Sequence, residues 1–231
     1  MDIGKSFAFV FEDTDWIVKV LIAAAILVAG WLFSWLIIIP LIVAIALLAG
    51  YSVEITRRVI QGQAPLLPEW DNWGKLLADG FKVLVIGIVY ALPILVIGFC
   101  LGIPTALLSD SAEGWSAFLG LLGGCLGFLW VMVMSLLLPA AIAFYVAEDE
   151  INAAFHFGRV FAFVRDHLAT YLITFLMSWV ADLVGEVGLI LCGLGWFVTV
   201  PYSWMVIGHL YGQAYLEASG QASQPVPVEV V

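Results

Sequence analysis

The sequence contains few charged residues: Asp, Glu, Lys and Arg make up 11% of its 231 residues, whereas 64% of the residues are hydrophobic. Soluble domains have about 25% charged and roughly 45–50% apolar residues. The composition therefore excludes an ordinary soluble domain and indicates an integral membrane protein. Polar segments long enough to bury a core of their own are also missing. We expect a single membrane domain over residues 1–216 and a disordered tail over residues 217–231.

Basic residues are scarce. The chain has 8 Lys and Arg against 18 Asp and Glu, which gives a net charge of −10. Binding to a phosphate backbone requires clustered basic side chains, so we expect no nucleic acid partner. The residues before the first apolar run are mostly acidic, whereas a signal peptide begins with a basic segment. The first apolar run is therefore expected to remain as a membrane anchor.

Cysteines and familiar catalytic motifs are scarce or missing. Cys100, Cys125 and Cys192 lie inside apolar runs, without C-x-x-C spacing or a nearby histidine at ligand spacing. They are expected to be small buried thiols that pack between helices, rather than metal or redox sites. The sequence has no G-x-S-x-G, Walker A or H-E-x-x-H motif, which disfavours hydrolases, NTPases and metalloenzymes of familiar kinds. We expect no enzymatic activity and no cofactor.

Long apolar runs make up most of the chain. The first, residues 20–50, would be about 46 Å long as a single helix, whereas the hydrocarbon core of a bilayer is ~30 Å thick. The alternative is a hairpin of two helices, at residues 16–36 and 39–58. Pro40 would then occupy the first turn of the second helix, where its missing N–H costs nothing. Further apolar runs follow at residues 83–108, 116–147, 168–184 and 187–216.

The basic residues distinguish these alternatives. With the hairpin the chain makes six passes, and all eight Lys and Arg lie on the same face as both termini. With a single first pass, Lys5 and Lys19 would lie on the opposite face. Because basic residues concentrate in cytoplasmic loops, we predict a multi-pass protein of the cell membrane with both termini in the cytoplasm. The predicted fold is an all-α, polytopic transmembrane helical bundle of about six spans, or five if the first run crosses once.

Interfacial amphipathic helices are predicted beside the spans. In residues 1–19, Ile3, Phe7, Val10 and Phe11 share one helical face, which suits the headgroup boundary. The segment at residues 7–10, Phe-Ala-Phe-Val, recurs at residues 161–164, and residues 76–82 lead into the third span in a similar way. The pattern suggests a unit of one interfacial helix and two spans, used three times.

The longest polar interval, residues 51–83, is rich in basic residues and tryptophan. Trp70 and Trp73 suit the membrane–water interface, and Arg57 and Arg58 can hold anionic lipid heads. We therefore predict that these four residues contact lipid headgroups. For the arginines, a site for an anionic substrate is the alternative.

Two carboxylates, Glu69 and Asp71, flank Trp70 in the same loop. Paired carboxylates can act as general acid and base, but only in an enclosed pocket. At the membrane surface we expect no such pocket. Instead, Asp71 or Asn72 can cap the helix that begins near Trp73.

Three ionisable residues lie in the last two spans. Asp182 and Glu186 are four residues apart, and on a continuous helix they would share a face, as in a proton- or cation-coupling pair. The alternative is that both face water at a turn over residues 183–185. His209 could be a proton relay or ligand, or it could bond a neighbouring helix or lie near the headgroups.

Glycines at positions 120, 123, 124 and 127 form two overlapping G-x-x-x-G patterns. Small residues allow close approach of helices in lipid, so we interpret this stripe as a packing face. The expected partners are the lipid bilayer and, beyond it, other membrane proteins or a second copy of the chain.

Several segments together resemble one family. They are residues 6–19, Gly50-Tyr51 with Arg57-Arg58, the loop Leu-Pro-Glu-Trp-Asp-Asn-Trp at 67–73, Asp-Gly-Phe-Lys at 79–82, and His-Leu-Tyr-Gly-Gln-Ala-Tyr at 209–215. They are similar to prokaryotic multi-pass membrane proteins grouped as domain of unknown function 4013. The resemblance spans nearly the whole chain, although the first apolar run is longer here than expected for the family. It implies a fold and a location but no activity.

The sequence favours a non-enzymatic, structural or partner-binding membrane component. The alternative is a small transporter or channel subunit for a small solute or ion, using Asp182, Glu186 and His209. An enzyme acting on lipid through Glu69 and Asp71 is a third hypothesis. A transporter should place an ionisable side chain in a polar cavity at bilayer depth, and a lipid enzyme should enclose the two carboxylates in a cleft.

Overall fold

The chain, seen in a computed structural model, is described for residues 1–35, 37–108, 112–190 and 193–221. These residues contain helices and no strand, which confirms the predicted all-α fold. The α-helices are α1 (Ile3–Glu12), α2 (Trp16–Phe33), α3 (Ile39–Gln61), α4 (Trp73–Ile97), α5 (Ile103–Leu108), α6 (Glu113–Glu148), α7 (Phe157–Asp166), α8 (Leu168–Val187) and α9 (Trp196–Ala218). A π-helical turn, Gly98–Gly102, joins α4 to α5, and 3₁₀ turns cover Ile151–Phe155 and Gly188–Ile190.

Five helical segments are long and apolar enough to cross a membrane: Trp16–Phe33, Ile39–Gln61, Trp73–Leu108, Glu113–Glu148 and Leu168–Ile190. The α9 helix is as long as α3 but is not among these five. Its buried polar residues, including Ser203 and His209, face other helices of the chain.

The first apolar run is a hairpin, as one of the two alternatives predicted. The α2 helix ends at Phe33 and α3 begins at Ile39, with Pro40 in its first turn. The predicted last residue of the first helix, Leu36, lies outside the described residues.

The α3 helix lies at the centre of the bundle and contacts α2, α4, α6 and α9, while α8 packs on the other side of α9. Its closest contacts are made at glycines. A Cβ atom at Gly208 of α9 would lie 2.5 Å from the Ser52 carbonyl oxygen, and one at Gly212 would lie 2.7 Å from Val59 Cβ. Glycine is therefore required where α9 crosses α3.

The predicted glycine stripe on α6 makes looser contacts. A Cβ at Gly120, Gly123 or Gly127 would lie 3.4–3.9 Å from the nearest side-chain atom of the α4–α5 segment, and one at Gly124 would meet open space. The stripe thus faces a helix of the same chain, at ordinary van der Waals distance. The glycines that approach a backbone closely are elsewhere.

The outer parts of α4 to α6 form a projecting hairpin, defined here as residues 91–138. None of its described residues is buried. Pro93 and Pro104, where kinks were predicted, flank the π-helical turn. The prediction that the cysteines are buried is wrong for Cys100 and Cys125, which are exposed because each helix of the hairpin has little beside it except the other. Cys192 lies outside the described residues.

The predicted turn at residues 183–185 is absent. The α8 helix continues to Val187, and the chain turns near Gly193, whose φ is 77°. Gly185 packs against α9 instead: a Cβ at this position would lie 3.0 Å from Ser203 Oγ, and the Gly185 carbonyl accepts a hydrogen bond of 2.5 Å from Thr199 Oγ1. A glycine required for packing was mistaken for one required for a turn.

Two of the three predicted repeat units begin with a separate short helix. The α1 and α7 helices each contain ten residues and precede a longer helix. In the middle unit, residues 76–82 belong to α4 without a break. The α1 helix lies on α9, and its buried residues are Ser6, Phe9 and Val10. Of the face predicted for lipid, only Val10 is buried.

The α9 helix extends to Ala218, two residues into the segment predicted as a tail. Of the remainder of that predicted tail, residues 219–221 are described and residues 222–231 lie outside the described residues.

Candidate functional site

The polar loop between α3 and α4 is held by one buried lysine. Lys19, in the first turn of α2, is 3% exposed. Its Nζ lies 2.6 Å from a carboxylate oxygen of Glu69 and 2.8 Å from one of Asp13, and it donates a 3.3 Å hydrogen bond to the Leu67 carbonyl. Glu69 is thereby held as the counter-ion of a buried cation, although its side chain is 62% exposed.

Trp70 fastens the same loop to the bundle. Its indole stacks on Tyr51 with ring centroids 4.2 Å apart, and its Nε1–H donates to the Lys19 carbonyl at 3.1 Å. The Tyr51 hydroxyl donates to the Pro68 carbonyl at 2.7 Å. Trp70 is therefore packed inside the protein, and Trp73, which is exposed, is the tryptophan placed to meet headgroups.

Asp13 lies between α1 and α2, outside the candidate spans. Burial opposes its ionisation, but hydrogen bonds from the Lys19 ammonium and the Asp15 N–H outweigh that effect and hold the pKa of Asp13 below its ordinary value. The carboxylate is thus fixed in its charged form beside Lys19.

A second ionic cluster joins α3, α4 and α6. Buried Arg57 contacts Asp79 at 3.0 Å and Glu54 at 2.5 Å, and the Tyr145 hydroxyl donates to Asp79 at 2.7 Å. Lys75 contacts Glu54 at 2.9 Å. Arg57 is therefore occupied within the chain. Arg58 is less buried but also donates to the Pro65 carbonyl, at 2.8 Å, and its contact with headgroups stays a prediction.

The sequence analysis missed most members of these two clusters. Lys19, Asp79 and Tyr145 belong to no motif of a functional site, and their partners are far away along the chain. A signal was present, because Lys19 and Asp79 are charged residues at the edges of apolar runs, where an unpaired charge is costly. The predicted cap is confirmed for Asn72, whose side chain accepts the Lys75 N–H at 3.1 Å.

His209 is 2% exposed and joins α9 to α1. Its Nδ1 lies 3.0 Å from Ser6 Oγ, and its ring stacks on Phe9 with centroids 4.5 Å apart. Nearby, the Asp2 N–H donates to Gln213 at 2.9 Å. The imidazole thus bonds a neighbouring helix, one of the arrangements considered from the sequence.

The remaining candidate carboxylates lie in two separate places, on α8 and in the loop between α3 and α4. Asp182 and Glu186 are both exposed on continuous α8 and share a face because they are four residues apart. Glu69 and exposed Asp71 line a shallow surface cleft of about 540 Å³ beside Lys19. The structure does not bring Asp182, Glu186, His209 and the loop carboxylates into one site.

Two other clefts lie within the bundle. One, of about 800 Å³, is bordered by α1, the end of α3 and α9, and includes His209 and Lys5 in its wall. The other, of about 450 Å³, lies deeper between α3, α4, α6 and α9 and has an apolar lining. Within the described ranges, no group of three or more His, Cys, Asp or Glu could hold a metal ion.

Comparison with known proteins gives one match. A family model with the description "Protein of unknown function (DUF4013)" matches residues 32–194, which is more than two thirds of the chain. No curated protein and no solved structure shows a significant similarity to the chain.

Proposed function

We propose, from the premise that this chain belongs to the DUF4013 family of proteins of unknown function, that it is a non-enzymatic structural or partner-binding component of a membrane. Its five apolar helices are those of a membrane protein. What the chain does there is inferred from the places that its charged groups occupy.

The observation that carries the proposal is the use of the buried charges. Lys19, Arg57 and Asp79 are the buried charged residues in the described part of the chain. Each contacts an opposite charge on another segment, as in the 3.0 Å pair between Arg57 and Asp79. Breaking such a pair leaves a buried charge without a partner. These residues therefore hold the helices in one arrangement and are not available to bind a solute.

We expect no reaction of lipids at the loop that contains Glu69 and Asp71. Glu69 is neutralised by Lys19, and the cleft that contains Glu69 and Asp71 is open. General acid–base work needs a carboxyl of perturbed acidity in an enclosed site. Incubation of the protein with phospholipid vesicles, followed by mass spectrometry, should yield no lipid product. A product that disappears in the E69Q/D71N variant would overturn this part.

Orientation in the cell membrane is part of the proposal. The eight Lys and Arg belong to α1, α7 or the ends of α2, α3 and α4 that meet at the Trp70 loop. This basic end is assigned to the cytoplasm. With α9 as a sixth pass, both termini are cytoplasmic.

The partner-binding part rests on the projecting hairpin. Its apolar side chains, such as Phe99 and Leu121, are about 70% exposed and have no cover from the chain itself. The bilayer covers such a surface, and another membrane protein or a second copy would bury it further.

Site-specific photo-crosslinking in native membranes tests this part. A photoreactive residue at Phe99 or Leu121 should yield a protein adduct of discrete mass, including that of a dimer. The same residue at Leu183, an exposed position on α8, serves as control and should crosslink lipid alone. If all three positions yielded only lipid adducts, the partner-binding part of the proposal would be wrong and the structural role alone would remain.

A transporter or channel subunit is the second candidate. It is favoured by the continuity of α8, which places Asp182 and Glu186 on one face of a candidate span. Proteoliposomes should show no proton, Na⁺ or K⁺ flux above that of empty vesicles under our proposal. A flux present in the wild type and lost in the D182N/E186Q variant would establish the second candidate instead.

A further inference from the structure

An apolar cleft is lined by residues of α3, α4, α6 and α9. The α3 and α9 helices pack closely through glycines on one side, and α4 packs against α6 on the other. The cleft has a volume of about 450 Å³ and is elongated along the helices, since its α4 wall extends from Val83 to Ala91. This separation corresponds to about 12 Å of helix.

The chemistry of the walls selects an apolar occupant. The cleft lining includes no charged side chain among the described residues. Besides the Trp204 indole, its polar side chains are three hydroxyls. Two are already used, because Ser52 donates to the Trp204 carbonyl and Thr56 donates to the Gly208 carbonyl, both at 2.8 Å, and the third, on Tyr211, lies next to the Ser178 side chain. A buried water needs two to four polar partners, and apolar cavities remain dry. Ions and polar solutes are disfavoured for the same reason.

The shape and chemistry of the cleft match a linear hydrocarbon chain, because its apolar walls run along the helices. The volume also lies within the ~300–1,000 Å³ range of ligand pockets.

The cleft opens toward the surrounding lipid. Ile88, in its wall, is 59% exposed, whereas Val53 and Ile142 on the inner side are buried. Gly87 is a second indication that the cleft is open to another molecule. A Cβ at this position would meet nothing within 4 Å, so no contact inside the chain requires glycine, which destabilises the interior of a helix relative to alanine. The space at Gly87 is open for another molecule.

We propose that this cleft binds one acyl chain of a membrane lipid, held between the α3–α9 pair and the α4–α6 pair. The bound lipid is distinct from the annular lipids because it inserts between helices of the bundle. This inference requires only that the chain lies in a bilayer, and it is independent of whether the projecting hairpin has a protein partner.

Native mass spectrometry of the full chain tests the proposal. The protein would be reconstituted with phosphatidylglycerol of one defined chain length, extracted in a mild detergent and washed until annular lipid is lost. The wild type should retain one lipid. The Gly87→Leu variant fills the cleft from its wall, and one extra methylene in an apolar pocket already changes binding by about tenfold or more, so lipid retention should fall by about tenfold.

The matched control is Gly74→Leu, since a Cβ at Gly74 also meets open space but Gly74 does not line the cleft. It should retain lipid like the wild type. A second blocking variant, Ala91→Leu at the other end of the α4 wall, covers the case in which Gly87→Leu does not fold. Equal retention by the wild type and a folded blocking variant would overturn the proposal, as would a wild type that retains no lipid.

Discussion

Gly50 of α3 and Gly80 of α4 are reciprocal contacts at one helix crossing. A Cβ at Gly50 would fall on the carbonyl oxygen of Leu76, and a Cβ at Gly80 would fall on that of Ala46. Each glycine thus packs on the backbone four residues before the other. Asp79 is adjacent to Gly80, and Arg57 lies about two turns from Gly50. Because their ion pair joins the same two helices, close approach of the backbones positions the charges.

Alanine at either glycine should therefore destabilise the protein. A methyl group would force α3 and α4 apart, and overpacking costs about 1–3 kcal/mol, occasionally more. The measurement is thermal unfolding in detergent for Gly50→Ala and Gly80→Ala. Gly124→Ala is the control, because a Cβ at Gly124 meets open space, and it should be neutral or stabilise by up to ~1 kcal/mol. Equal stability of all three variants would contradict the crossing.

Removal of one partner from the buried ion pair should cost more than removal of a surface pair. Asp79→Asn removes one of the close counter-ions of Arg57 but leaves Glu54, so we expect a loss of about 1.5–3 kcal/mol, the range for hydrogen bonds to charged groups. Arg165→Gln, which breaks an exposed pair with Asp166, should cost ~0–1 kcal/mol. Unfolding in denaturant compares the two. A similar small loss in both variants would show that Arg57 finds another partner.

Loss of the Lys19 ammonium should release the Trp70 loop. In Lys19→Met, Glu69 and Asp13 lose their shared cation, and the Leu67 carbonyl loses a donor. Cleavage of residues 62–72 by a nonspecific protease should then be about tenfold faster, which corresponds to ~1.4 kcal/mol of local opening free energy. Lys5→Met, which changes an exposed lysine, should leave the rate unchanged. An unchanged rate in Lys19→Met would mean that Trp70 alone holds the loop.

Stability should depend on pH through Asp13. Its folded pKa lies below the ordinary value of 3.8, so its contribution is fully present above that value and is lost as the pH falls through the lower folded pKa. The wild type should exceed Asp13→Asn in unfolding temperature at neutral pH. That difference should shrink in acid below about 3.9, the ordinary pKa of aspartate. A constant difference at all pH values would assign the effect of the substitution to packing.

Thiol labelling checks the orientation. In a variant whose native cysteines are replaced by alanine, a cysteine at Gly114, where α6 begins, should react with an impermeant reagent on intact cells. A cysteine at Gln63, next to the end of α3, should react only after permeabilisation. The reverse pattern would place the basic end outside.

The features that were predictable from the sequence are those that composition and the lengths of the apolar runs determine, such as the all-α fold. The hairpin at Pro40 was one of two alternatives for an apolar run too long for one crossing, and the distribution of the basic residues favoured it. The side of the membrane on which those residues lie stays a prediction. Prediction from the sequence failed where one residue type can have two structural roles. A glycine such as Gly185 can form a turn or allow a neighbouring helix to approach, and only its contacts with α9 distinguish the two roles. Lys19 and Glu69 lie 50 residues apart, so nothing local indicates their pairing.

The 36-residue helical segments Trp73–Leu108 and Glu113–Glu148 extend about 54 Å, whereas the 20 residues of α8 extend about 30 Å, the thickness of an average hydrocarbon core. The apolar parts of these segments, residues 83–108 and 116–147, are about 39 Å and 48 Å long as helices and still exceed that core. In a bilayer we expect the hairpin to tilt or to thicken the membrane around it, at a fraction of a kcal/mol per Å of hydrophobic mismatch. The protein should accordingly partition toward thicker regions of a membrane, and its stability should rise with the chain length of the host lipid.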